Sequence, residues 1–165
     1  MDHTLREWVR LGEKCGLAQA ALDAQAKETR MDRTHIRQVM LAHWHDMQSA
    51  IRTGLEPGLR SVSGLSGGQA VKLLNRMQEG KSLCGTLLGK AEAYALATAE
   101  CNACMGKIVA APTAGACGIL PGLLQALAEE RNFQEDALVD ALFVAAAVGE
   151  SIASQASISG AEGGC

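Results

Sequence analysis

Two alanine-rich segments, residues 85–105 and 137–156, set the limits on the fold of this chain. Both contain few charges, and Ala is the strongest helix former, so each segment predicts a helix that is buried on several faces. Only 3% of the residues are aromatic and only three are Pro, which suits closely packed helices better than strands. We therefore predict an all-α fold, a compact helical domain with Gly-rich interhelical loops.

The length of 165 residues is typical of one domain with a substantial core. We predict a single helical domain over residues 1–165, with an N-terminal helical layer at 1–55 and a motif-bearing part at 56–165. The stretch 54–68 contains Gly, Pro and Ser, and we interpret it as a connection rather than a domain boundary.

Local patterns predict where several helices begin and which faces they bury. Residues 32–53 carry apolar side chains at three- and four-residue spacing, and this pattern predicts that His43 faces the core. Capping boxes, in which a polar side chain and a Glu or Gln three residues later cap each other's main chain, predict three helix starts. These boxes are Thr4 with Glu7, Ser66 with Gln69, and Asn132 with Glu135.

The charge and the hydropathy of the sequence indicate which partners and which cellular compartment to expect. The formal net charge is -3 and no run of Lys or Arg is present, which argues against nucleic acid as a partner. No run of about 18 apolar residues is present, so we expect no membrane span. The first residues lack the pattern of a signal peptide, and six cysteines without that signal favour a reducing compartment, so we expect a cytoplasmic protein.

Three segments combine small residues with hydroxyls or thiols, at residues 80–85, 111–118 and 157–165. Glycines let a ligand approach the main chain, and a helix that begins after Gly118 would direct free N–H groups at a carboxylate. The same residues are equally typical of tight turns between packed helices, with Pro121 in a first helical turn. The residues alone leave both interpretations open.

The cysteines and histidines give no clear metal site. Cys101 and Cys104 form a Cys-x-x-Cys pair, but the pair lies in an alanine-rich helical segment and no second pair completes a zinc site. His43 and His45 are two residues apart, so on a helix they point in nearly opposite directions. Cys165 differs from the others because it follows two glycines in a polar segment, although this alone does not assign it a role.

Four ordered blocks of the sequence carry a resemblance to a known family. The blocks are Gly-Leu-Ser-Gly-Gly-Gln-Ala-Val-Lys-Leu at 64–73, Gly-Lys-Ser-Leu-Cys-Gly at 80–85, Asn-Ala-Cys-Met-Gly-Lys-Ile-Val-Ala-Ala-Pro-Thr-Ala-Gly-Ala-Cys-Gly-Ile-Leu-Pro-Gly at 102–122, and Ala-Ser-Ile-Ser-Gly-Ala-Glu-Gly-Gly-Cys at 156–165. Together they closely resemble the α chain of iron–sulfur L-serine dehydratases. The resemblance covers almost the whole chain and is weakest over the first 55 residues, and its most specific pieces are Pro-Thr-Ala-Gly and Ser-Ile-Ser-Gly-Ala.

The resemblance implies a [4Fe-4S] cluster held by three cysteines, with one iron left open and no pyridoxal phosphate. Cys165 matches the ligand of the family's Gly-Gly-Cys motif. The family's other two ligands come from a later Cys-Asp-Pro segment and a cysteine after it, and this sequence stops before both. Four further cysteines match no ligand position, and we expect packing or incidental roles for them: Cys84, Cys101, Cys104 and Cys117.

The implied activity is that of an L-serine ammonia-lyase, which removes water from L-serine and yields pyruvate and ammonia. This reaction degrades an amino acid and supplies gluconeogenesis. An open iron would act as a Lewis acid on the serine hydroxyl. The resemblance assigns Thr113, Ala114 and Gly115 to the serine carboxylate or ammonium group. It assigns Ser157, Ser159 and Gly160 to the cluster side.

Two parts of the implied site are less well determined. Asn102 is a further polar candidate for substrate binding within a matching block. The general base stays unassigned, because all four histidines lie in the first 45 residues, outside the blocks. The family's division into two chains suggests that a β chain supplies the base. The implied partners are thus L-serine and a serine dehydratase β chain, and we expect the 165 residues alone to be inactive.

The sequence is also consistent with two other functions. A related amino-acid lyase, such as a cysteine desulfidase, could use similar parts on a thiol leaving group. A non-enzymatic helical assembly module, including a homo-oligomer, would explain the alanine-rich, charge-poor second half. The first alternative predicts pyruvate from cysteine in preference to serine, and the second predicts an oligomer that binds neither iron nor amino acid.

Overall fold

The computed structural model describes residues 3–157. Within this range the chain forms α-helices and one 3₁₀ turn, with no β-strand, so the predicted all-α fold with interhelical loops is confirmed. The 3₁₀ turn is Ala114–Ala116. The helices are α1 (Leu5–Cys15), α2 (Leu17–Thr29), α3 (Arg33–Gly54), α4 (Gln69–Gln78), α5 (Gly85–Ala103), α6 (Ile119–Arg131) and α7 (Glu135–Ala153).

The chain divides into two compact units, each with its own core. The terminal unit consists of residues 1–42 and 135–165, and the central unit consists of residues 43–134. The single domain and the subdivision at residue 55 stay predictions.

The terminal unit packs α1, α2, the first part of α3 and α7 around an apolar core. Arg37 of α3 joins α7 through Asp140, at 2.6 Å, and Asp136, at 3.1 Å. The hydroxyl of Ser151 donates a hydrogen bond to the carbonyl of His3, at 2.6 Å. The buried core residues are Trp8, Ala20, Ala21, Leu22, Ile36, Val139, Phe143 and Ala147.

The central unit is built around α5, against which α4 and α6 pack. Hydrogen bonds also join α6 to α5. The Glu129 carboxylate of α6 accepts hydrogen bonds from Lys90 and Tyr94 of α5 and from Gln125 of its own helix. Burial alone would raise the pKa of Glu129, but these donors lower it below its ordinary value. Burial and the same carboxylate raise the pKa of Tyr94. The buried apolar residues of this core are Ile51, Ala70, Ala91, Tyr94, Ala97 and Ala126.

Glycines allow main chains to approach α5 closely. A Cβ added at Gly122 would lie 2.6 Å from both the Ala91 carbonyl oxygen and the Ala95 nitrogen, and one at Gly118 would overlap the Ala95 carbonyl oxygen. A Cβ at Gly54, the last residue of α3, would overlap the Ala97 carbonyl oxygen. Because real Cβ atoms do not come so close to a backbone, only glycine fits at these positions.

Of the three predicted capping boxes, one is confirmed and two are wrong. The capping box of Thr4 and Glu7 is confirmed, with the Glu7 N–H 3.3 Å from Thr4 Oγ1 and the Thr4 N–H 2.8 Å from the Glu7 carboxylate. The box at Ser66 is wrong, because Gly68 occupies the N-cap of α4. The box at Asn132 is also wrong, because this residue ends α6 in the left-handed conformation, with φ +54°.

The predicted core position of His43 is wrong as well. His43 is exposed, and the neighbouring Trp44 is fully buried in its place. The predicted face of α3 is otherwise buried at Ile36, Met47 and Ala50, so only this turn differs, where the indole buries far more apolar surface than the imidazole would.

None of the helices in the described part of the chain combines the length and the apolar character needed to cross a bilayer.

Replacement of Gly122 by Ala tests the close approach of α6 to α5. We expect Gly122→Ala to lower the free energy of unfolding by about 1–3 kcal/mol, because the added methyl group meets the α5 backbone. Gly149→Ala is the matched control, since a Cβ there meets nothing within 4 Å and should stabilise α7 by about 0.5–1 kcal/mol. Urea denaturation followed by circular dichroism measures both changes. Equal effects of the two substitutions would contradict the close packing.

Candidate active site

The last turn of α5 holds the start of α4 through a buried carboxylate. Glu100 is 5% exposed, and its carboxylate accepts hydrogen bonds from the N–H groups of Gly68, at 2.9 Å, Gln69, at 2.7 Å, and Ala70, at 3.3 Å. No side chain of the preceding loop caps α4, so Glu100 satisfies N–H groups that the helix itself cannot pair. These N–H groups of the 64–73 block are thus already paired within the protein.

The loop before α4 is held at the same end of α5. The Cys104 thiol donates to the Arg60 carbonyl, at 2.9 Å, and the Val62 N–H donates to the Ala103 carbonyl, at 3.4 Å. Within the loop, the Ser61 hydroxyl oxygen accepts a hydrogen bond from the Ser66 N–H, at 3.1 Å. Ser66 therefore takes part in the loop and does not cap the helix that follows.

The Pro-Thr-Ala-Gly loop also lies against this turn. The Thr113 hydroxyl oxygen accepts a hydrogen bond from the Ala116 N–H, at 3.3 Å, and so caps the 3₁₀ turn. The Asn102 amide donates to the Ala114 carbonyl, at 3.2 Å. Ala114 and Gly115 are exposed. The structure thus brings together four of the predicted substrate-binding residues, Asn102 and residues 113–115.

The remaining predicted site residues lie elsewhere in the chain. Ser157 is exposed and belongs to the terminal unit. Ser159, Gly160 and Cys165 lie outside the described residues. The roles of all the site residues stay predictions.

The four cysteines that match no ligand position differ in their surroundings. Cys84 is exposed, whereas Cys101 and Cys117 are buried, and burial raises the pKa of both these thiols. A raised pKa favours the thiol over the thiolate that binds metal. Cys104 is partly buried and donates to a carbonyl. Among the residues that the structure describes, no group of three or more His, Cys, Asp or Glu side chains could hold a metal ion.

Glu100 is the residue of this region that sequence reasoning missed. It lies in an alanine-rich helix that the pattern predicts to be buried, and a carboxylate in such a helix needs donors. That signal could have singled out Glu100, but its donors are 30 to 32 residues away in the sequence.

The model of the family "Serine dehydratase alpha chain" matches residues 12–165. The chain belongs to the serine dehydratase alpha-chain family. The probable L-serine dehydratase α chain of Bacillus subtilis is 49% identical over 119 residues, which are 72% of this chain and 39% of the relative. The L-serine dehydratase α chain of Peptoniphilus asaccharolyticus is 33% identical over 167 aligned positions, which cover 100% of this chain and 57% of the relative.

A third relative of the serine dehydratase alpha-chain family, the L-serine dehydratase of Streptomyces coelicolor, is 34% identical over 96% of this chain and 35% of its own length. The chain therefore spans less than two thirds of the length of each of these relatives. No solved structure matches the chain.

Removal of the Glu100 carboxylate tests how the start of α4 is held. We expect Glu100→Ala to lower the free energy of unfolding by about 3 kcal/mol, since three N–H groups lose a charged acceptor and the N–H of Ala70 is buried. Glu92→Ala on the exposed side of the same helix should change it by less than about 0.5 kcal/mol. Thermal and urea unfolding measure both variants, and a loss at Glu100 as small as that at Glu92 would show that the carboxylate does not hold α4.

Proposed function

We propose that this chain is part of an L-serine dehydratase, which converts L-serine to pyruvate and ammonia in amino-acid degradation and gluconeogenesis. One observation carries the proposal. The Pro-Thr-Ala-Gly loop, which is one of the two most specific family motifs, meets Asn102 at the end of α5, where the Asn102 amide donates to the Ala114 carbonyl. The family match over residues 12–165 supports it. The three relatives named above carry the name L-serine dehydratase, which favours neither a cysteine desulfidase nor a non-enzymatic module.

The substrate-binding part of the proposal rests on the exposed residues Ala114 and Gly115 of the Pro-Thr-Ala-Gly loop. The side chains of Thr113 and Asn102 already bond to main-chain groups of this loop, and the Asn102 amide takes the Ala114 carbonyl. Ala114 and Gly115 have no polar side-chain group, so we assign the other main-chain groups of these two residues to the serine carboxylate or ammonium group. We assign Ser157, Ser159 and Gly160 to the cluster side of the substrate.

The cofactor in this proposal is a [4Fe-4S] cluster, with Cys165 as the one ligand in this sequence and no pyridoxal phosphate. The cluster, when bound, supplies a Lewis acid for the departure of the serine hydroxyl. Cys101 and Cys117 are buried, and burial raises the pKa of both thiols, which argues against either of them as a replacement for the family's other two ligands. The chain's own described residues contribute the substrate loop and the helix end that holds it.

The rest of the proposed assembly lies beyond this chain. A β chain supplies the general base, since no histidine lies in the matching blocks. The complete enzyme acts in the cytoplasm, where a reducing environment protects the cluster.

Anaerobic reconstitution tests the proposed function. The chain is compared with a version extended through the downstream family cysteines and combined with the β chain, after treatment with iron and sulfide. We expect only the extended assembly to gain cluster absorption and to form pyruvate from L-serine. Cys165→Ala should abolish both, whereas Cys15→Ala, which removes an exposed thiol outside the matching blocks, should change neither.

The substrate comparison in the same assay separates the alternatives. A higher kcat/KM for L-cysteine than for L-serine would replace the proposal by a cysteine desulfidase. Absence of both cluster and pyruvate from the extended assembly would overturn the enzymatic proposal and favour a helical assembly module.

A further inference from the structure

One face of α5 makes a continuous contact with the segment that runs from the Pro-Thr-Ala-Gly loop into α6. At 100° per residue, Ala91, Ala95 and Asn102 lie within about 40° of one another around the helix. The backbone of this face meets Gly122 at Ala91 and Ala95, and meets Gly118 at Ala95.

The contact continues in the same direction to the end of the helix. As α5 proceeds from Ala95 to Asn102, the facing segment proceeds backwards from Gly118 to Ala114, whose carbonyl accepts the Asn102 amide hydrogen bond. At Gly122 and Gly118 the two backbones pack directly against each other because glycine has no side chain, whereas at Ala114 the contact is a hydrogen bond. Asn102 therefore holds the loop beyond the point where the glycines pack against α5.

The neighbouring polar residue of the same turn faces a different segment. Glu100 lies about 200° from Asn102 around the helix and bonds to residues 68–70. The two side chains thus serve separate segments, so the effect of one can be measured without removal of the other.

We propose that Asn102 is a positioning residue for L-serine binding, which acts through the main chain of Ala114 and does not contact the substrate. This inference rests on the proposed function and refines the direct role that the family resemblance implies for Asn102. One N–H of the Asn102 amide donates to the Ala114 carbonyl, so the loop and the amide set each other's orientation. Thr113 holds the following turn through Ala116, so Asn102 and Thr113 together set the conformation of the exposed Ala114 and Gly115.

The kinetic test uses the extended, reconstituted assembly with its β chain. Asn102→Ala should raise the KM for L-serine about fivefold to tenfold and leave kcat within about twofold, because one neutral hydrogen bond that orders the binding loop is lost in ground and transition states alike. Asn102→Asp keeps the shape but places an acceptor against the Ala114 carbonyl, so its KM should rise at least as much. Asn75→Ala, an exposed Asn of α4, is the matched control with unchanged kinetics.

A second measurement needs no activity. In the 165-residue chain, amide hydrogen exchange at Ala116 should accelerate at least fivefold in Asn102→Ala and stay unchanged in Asn75→Ala, because the 3₁₀ turn loses the anchor at Ala114. Cluster absorption of the assembly should be the same in all these variants.

Each outcome decides a separate point. Unchanged exchange at Ala116 would overturn the anchoring of the loop, and a wild-type KM in Asn102→Asp would overturn the role of the donor. A fall in kcat at constant KM would overturn the positioning role in favour of a direct contact in the transition state. A wild-type assembly that forms no pyruvate would overturn the proposed function together with the role in serine binding, while the exchange result still decides whether Asn102 anchors the loop.

Discussion

The backbone contact of α6 with α5, through Gly118 and Gly122, is the constraint on which the candidate site depends. It brings α6 against Ala91 and Ala95 at a distance that no side chain would permit. The Pro-Thr-Ala-Gly loop immediately precedes this contact in the chain. Its position is therefore fixed by the helix packing on one side and by Asn102 on the other.

The end of α5 holds three segments through groups of different chemistry. A buried carboxylate pairs with the N–H groups at the start of α4, an amide donates to the Pro-Thr-Ala-Gly loop, and a thiol donates to the loop before α4. Two of these segments belong to blocks that resemble the serine dehydratase α chains. The resemblance over these blocks thus includes residues that build the loops as well as residues proposed to bind substrate. In the described part of the chain, Cys101 and Cys117 are buried, Cys104 donates a hydrogen bond, and no group of three or more His, Cys, Asp or Glu side chains could hold a metal ion.

The all-α fold could be predicted from the alanine-rich segments because the composition of a single segment is enough to indicate a helix that is buried on several faces. The box at Thr4 was predictable for the same reason, since both partners lie within one turn. The box at Ser66 was not, because Glu100 supplies the acceptor from another helix. The bond from Asn102 to Ala114 likewise depends on how α5 meets the loop, which the sequence pattern does not contain. The roles of all the assigned site residues stay predictions.

Amide hydrogen exchange of the unaltered chain at the start of α4 tests most directly whether the end of α5 holds the loops. N–H groups in the first turn of a helix ordinarily lack partners and exchange freely. If Glu100 holds this turn, Gln69 and Ala70 will exchange as slowly as the amides in the middle of α4. Exchange at these two residues at the rate of an unprotected amide would contradict the account.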